Sequence, residues 1–94
     1  MIIDTHMNDI IDKNENMTIP YYLMASYAYY KDDDPILTDG AYDALSKRIL
    51  ENFMFITHHH KDLITLDDLS AGSYLGKYPS IVIGALENLR GNFK

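Results

Sequence analysis

Five side chains in the first half of the chain carry its clearest chemical signal: Tyr29, Tyr30, Asp39, Tyr42 and Asp43. A tyrosine face attracts a cation by about 0.5–2 kcal/mol. Carboxylates nearby lower the cost of holding positive charge further. Between the tyrosine pair and Asp39 lies an acidic run, Asp32-Asp33-Asp34, followed by Pro35. Together these residues suit a small site that holds a cation against aromatic faces. They suit a phosphate less well, because only Lys31, Lys47 and Arg48 lie nearby in sequence.

Each residue alone also has a structural explanation. Asp39, one position after a helix cap, favours the helix dipole. Asp43 pairs with Lys47 four positions on, an ordinary helix-surface pair. Tyr42 opens an apolar stripe. The three aspartates read as a solvated loop, since calcium loops spread their oxygen ligands over about a dozen residues. His58-His59-His60 reads as a polar turn: adjacent side chains diverge, and no zinc-ligand spacing or cysteine accompanies them. No metal site is expected. A second loop, "GSYLGKYP" from Gly72 to Pro79, reads as a connector. Its lysine and tyrosines could alternatively supply a phosphate contact, although two glycines and a lysine are not a phosphate-loop signature.

The elements that must position these residues are helices. Thr18 is a candidate N-cap and Pro20 suits the first turn of a helix over residues 19–31. This segment is apolar on nearly every side, which predicts burial on more than one face. Pro35 stops continuation. Thr38 then caps a second helix over residues 39–54, with Tyr42, Leu45, Ile49 and Phe53 as its apolar stripe. The short connection predicts an antiparallel hairpin. Thr65 and Asp68 form a capping box for a short helix over residues 66–71, closed by Gly72. Pro79 opens a last core helix over residues 79–90, built on Ile81, Val82, Ile83, Ala85, Leu86 and Leu89, with Gly91 as its C-cap. The fold class is all-α. Residues 1–17, polar and without sustained periodicity, are expected to be a flexible arm, and residues 18–94 one small helical domain.

Bulk properties narrow the function. A chain of 94 residues makes one domain, burying about 60–65% of its unfolded surface. The absence of cysteine removes disulfides and thiolate sites. The net charge is −6, with ten acids against four bases in residues 1–60 and four of each beyond. No basic stripe is present, so direct nucleic-acid binding is not expected. Apolar runs such as "SIVIGAL" are far short of the ~20 residues of a membrane span. The first residues carry acids where a signal peptide carries bases. A cytoplasmic location is expected.

The pattern Tyr29-Tyr30, Asp33, Pro35, Asp39, Tyr42, Asp43, Leu45 resembles the N-terminal Ia domain of NAD+-dependent DNA ligases over residues 21–54. That domain is a helical hairpin with Tyr-His/Tyr, two variable residues, Asp, any residue, Pro, then Asp-x-x-Tyr-Asp-x-Leu. It captures the nicotinamide mononucleotide (NMN) half of NAD+, and a separate adenylation domain performs the chemistry. The resemblance implies that Tyr29, Tyr30, Asp39, Tyr42 and Asp43 contact the nicotinamide side. Tyr30 replaces the common histidine, keeping an aromatic face without the imidazole. The oxidised nicotinamide ring is a flat cation, which matches the chemistry of the tyrosines and carboxylates.

The adenylation motif Lys-x-Asp-Gly is missing: "LTDG" from Leu37 to Gly40 has leucine in the lysine position. Ligase activity is therefore not expected. Two functions remain. One is a stand-alone module binding NMN or NAD+. The other is an interaction protein or inhibitor that mimics the Ia domain and docks on a ligase adenylation domain, an accessory that would suit a viral (phage) genome. A homodimer burying the tyrosine-rich face is a third arrangement.

Overall fold

In the computed structural model, residues 1–71, 74 and 76–93 are described. Five α-helices dominate the described residues, α1 (Asp4–Lys13), α2 (Thr18–Tyr30), α3 (Asp39–Asn52), α4 (Leu66–Ala71) and α5 (Ser80–Asn92), with short 3-10 turns between α1 and α2 and between α3 and α4. No strand occurs among the described residues, and the fold is all-α.

Helix α2 is the central element. Its buried side chains include Ile19, Tyr21, Tyr22, Leu23, Met24, Ala25 and Ala28, as its all-round apolar sequence requires. Helix α3 packs beside it through Leu45, Ser46 and Ile49. Ser26 of α2 meets Tyr42 of α3, and Glu15 just before α2 meets Arg48 further along α3. Positions fall along one helix as they rise along the other, so the pair is an antiparallel hairpin. Thr38 Oγ1 accepts the Ala41 N–H at 3.2 Å, the expected cap. Asp33, in the connection, has φ 50°, a left-handed geometry that a short polar side chain tolerates.

The first segment departs from expectation. Residues 1–17 are not a flexible arm: Ile3, Met7 and Ile11, four positions apart, are buried against the hairpin. Helix α1 has no side-chain cap, which hid it from sequence signals. Tertiary contacts hold it instead. The Ile3 N–H donates to the Ile36 carbonyl at 2.8 Å. The Asp4 carboxylate accepts from the Thr38 N–H at 3.0 Å and from Thr38 Oγ1 at 2.7 Å. Arg48 reaches back to Asp12 at 2.8 Å and to Glu15 at 2.9 Å, and donates to the Ile11 carbonyl at 3.1 Å. Residues 3–17 are therefore part of the packed domain.

Other boundaries shift for local reasons. Thr18 lies inside α2, and its hydroxyl donates to the Glu15 carbonyl at 2.7 Å in place of capping. Residues 53–55 tighten into a 3-10 turn after α3 ends at Asn52. The histidine segment also forms a 3-10 turn, His59–Leu63, with His58 Nδ1 accepting the His60 N–H at 3.1 Å. The capping box at α4 forms as expected: Asp68 N–H donates to Thr65 Oγ1, and Thr65 N–H to Asp68 Oδ2, both at 3.0 Å. Gly72, the expected stop of α4, lies outside the described residues. Helix α5 runs through Gly91 to Asn92, so Gly91 is not its C-cap. Val82 and Leu86 are its buried residues, whereas Ile81 is 69% exposed and Ala85 is also exposed. Helix α5 packs on α2, and α4 on α3.

Candidate functional site

The five tyrosines and aspartates singled out by spacing divide between surface and interior. Tyr29 and Tyr30 end α2 with 48% and 37% of their surface exposed, their rings edge to face at 4.9 Å. Tyr42 turns inward. Its ring stacks on Tyr22 at 5.4 Å. Ser26 Oγ donates to the Tyr22 carbonyl at 2.8 Å, so it accepts from Tyr42 Oη. Burial pushes the Tyr42 phenol above its ordinary range, and burial with the adjacent Tyr42 does the same to Tyr22. Tyr22 Oη faces Tyr42 and Ser46, but no protein group meets it at hydrogen-bonding distance and angle. Both phenols stay neutral at physiological pH.

The two aspartates lie apart. Asp39 is exposed in the first turn of α3. Asp43 lines a groove of about 410 Å³ between α3 and α4, with Ser46, Lys47, Leu50, Leu69, Ser70 and Ala71. No ion pair within 4 Å joins Asp43 to Lys47 among the described residues.

The loop before α5 supplies residues the spacing pattern did not contain. Tyr74 is fully buried, edge to face with Tyr22 at 6.0 Å and with Tyr78 at 5.3 Å. Its hydroxyl donates to the Lys77 carbonyl at 2.5 Å. Tyr78 in turn packs edge to face on Tyr27 at 5.2 Å. Burial raises the Tyr78 phenol far above its ordinary value, with Tyr42, Tyr74 and Tyr30 adding to the effect. Gly76 is required by this packing, because a Cβ there would lie 2.6 Å from the Tyr74 ring. Tyr74 and Tyr78 therefore pack against the hairpin and do more than connect two helices.

Between the end of α2 and this loop lies a groove of about 200 Å³, lined by Tyr30, Lys31, Tyr74, Gly76 and Tyr78. It unites one of the five residues, Tyr30, with three tyrosine-loop positions and a lysine. Lys31 was the nearest base to the tyrosine pair in sequence; Tyr74 and Tyr78, four positions apart around a glycine, were the signal for the rest. Nearby, the acidic connection is not a freely solvated loop. Arg90 of α5 bonds Asp32 at 2.6 Å and donates to the Asp34 carbonyl at 2.8 Å, tying the turn to the last helix.

Among the described residues, no group of three or more His, Cys, Asp or Glu side chains is placed to hold a metal ion. No described helix is long and apolar enough to cross a membrane. No family model, curated protein or solved structure matches the chain.

Proposed function

We propose that the chain is a non-catalytic, ligase Ia-like hairpin module that binds the nicotinamide half of NAD+ in the groove between Tyr30 and Tyr78, above the buried Tyr74. The supporting observation is the convergence of Tyr30 at the end of α2 and Tyr78 of the loop before α5 beside Lys31, over the buried Tyr74 ring. Aromatic faces favour the flat pyridinium cation, and Lys31 provides the charge that a ribose phosphate requires. Tyr29 lies beside this groove through its ring contact with Tyr30, and Tyr42, Asp39 and Asp43 do not line it. The absence of Lys-x-Asp-Gly leaves no nucleophile for adenylate transfer, so the role is capture or sensing in the cytoplasm.

An open groove of this size should bind weakly alone, with Kd on the order of millimolar to high micromolar. Titration of NMN and NAD+ followed by amide NMR tests the reading. Shifts at Tyr30, Lys31, Gly76 and Tyr78 support it; an unperturbed spectrum at several millimolar ligand removes it.

A second reading, a protein-docking mimic of the Ia domain, is favoured by one feature. Met54 and Phe55 follow α3 with 89% and 81% of their surface exposed. Adjacent apolar side chains this open are a candidate partner contact. Binding to a purified ligase adenylation domain that is lost in Phe55→Asp but kept in Tyr30→Ala would select this reading. Self-association in sedimentation, lost in the same Phe55 variant, would instead select a homodimer.

A further inference from the structure

The histidine segment builds a second groove that shares no residue with the tyrosine site. Its floor is apolar, formed by Pro20 and Met24 of α2 and by Ile81, Val82 and Ala85 of α5. Its wall is the imidazole run His58, His59 and His60, with ring centroids 3.9 to 5.3 Å apart. The volume is about 120 Å³, close to the ~150 Å³ of a cavity that holds one benzene ring. Because His58 Nδ1 accepts the His60 N–H, its proton in the neutral state resides on Nε2, leaving that nitrogen a donor.

We infer that this groove binds a small apolar anion, an aromatic or short aliphatic carboxylate whose body sits on the α2/α5 floor and whose head group meets the imidazoles. The floor residues contribute no titratable group from either helix, and no carboxylate lines the groove. On the histidine segment itself, Lys61 lies over the Phe53 ring at 4.5 Å, and Asp62 is exposed. Burial, and after it repulsion from the neighbouring imidazoles, holds His58 and His60 below the usual imidazole range. An anion in contact with them stabilises their protonated form and so offsets both effects. Binding and protonation are thus linked: the anion raises both titrations, and acid strengthens binding.

Phenylacetate and its neutral isostere phenylacetamide separate charge recognition from simple apolar burial. The intact chain should bind phenylacetate with shifts at Met24, Val82, Ala85 and the histidine rings. Affinity should rise about threefold or more from pH 7.5 to pH 5.8, where the carboxylate is still mostly ionised. Phenylacetamide should bind several-fold more weakly and show no such pH dependence. The His58 and His60 titrations, followed by ring resonances, should move to higher pH in phenylacetate. Ala85→Glu, at an exposed position that leaves the fold intact, should abolish phenylacetate binding. Equal binding of acid and amide, unmoved imidazole titrations, or no ring shifts at several millimolar phenylacetate would each overturn the inference.

Discussion

The tyrosines of this molecule fall into two layers that behave oppositely. Tyr22, Tyr42 and Tyr74 face inward, ring against ring, with phenols raised by burial. Tyr29 and Tyr30, about two turns of α2 beyond Tyr22, face outward and contact each other at 4.9 Å. Residue type and spacing alone do not separate these roles. What separates them is the loop before α5, which inserts Tyr74 against Tyr22 and brings Tyr78 beside Tyr30. The inner layer is core and fixes the geometry; the outer one is the surface available to a ligand.

Substitutions should break this contrast in a graded order. Tyr74→Ala removes a fully buried ring and should cost about 3–5 kcal/mol in chemical denaturation, close to the whole stability of so small a domain. Ile11→Ala should cost about 2–5 kcal/mol, because α1 is packed core and not an arm. A loss near zero would restore the arm. Gly76→Ala drives a methyl group into the Tyr74 ring and should cost about 1–3 kcal/mol, with Tyr74 ring resonances displaced. Tyr29→Ala sits at the other extreme and should leave stability within about 0.5 kcal/mol. A large loss there would mean that the outer layer is structural too.

The hairpin was legible because its signals are local. Thr38 caps, Pro35 interrupts, and Leu45 and Ile49 recur on one face. The capping box of Thr65 and Asp68 is equally self-contained. Helix α1 was not legible because it lacks a cap and is polar between its buried positions; its order depends on Arg48 and Thr38, which lie more than 30 positions away. Sequence spacing placed Tyr29, Tyr30, Asp39, Tyr42 and Asp43 together, but burial divides them. Tyr42 is claimed by Tyr22 and Ser26, and Asp43 faces α4. Pairing of Arg90 with Asp32 was likewise invisible, since side chains 58 positions apart meet only after the helices pack.

If the outer tyrosines hold a pyridinium, charge on the ring must matter more than its shape. Oxidised NMN and its reduced, uncharged-ring counterpart differ in that respect while keeping the same ribose phosphate. Titrating both into the intact chain under identical conditions measures the contribution of the aromatic faces. The oxidised form should bind at least about threefold more tightly, the ratio expected from one or two cation–π contacts of about 0.5–1 kcal/mol. Equal affinities, or a preference for the reduced form, would contradict nicotinamide capture by Tyr30 and Tyr78.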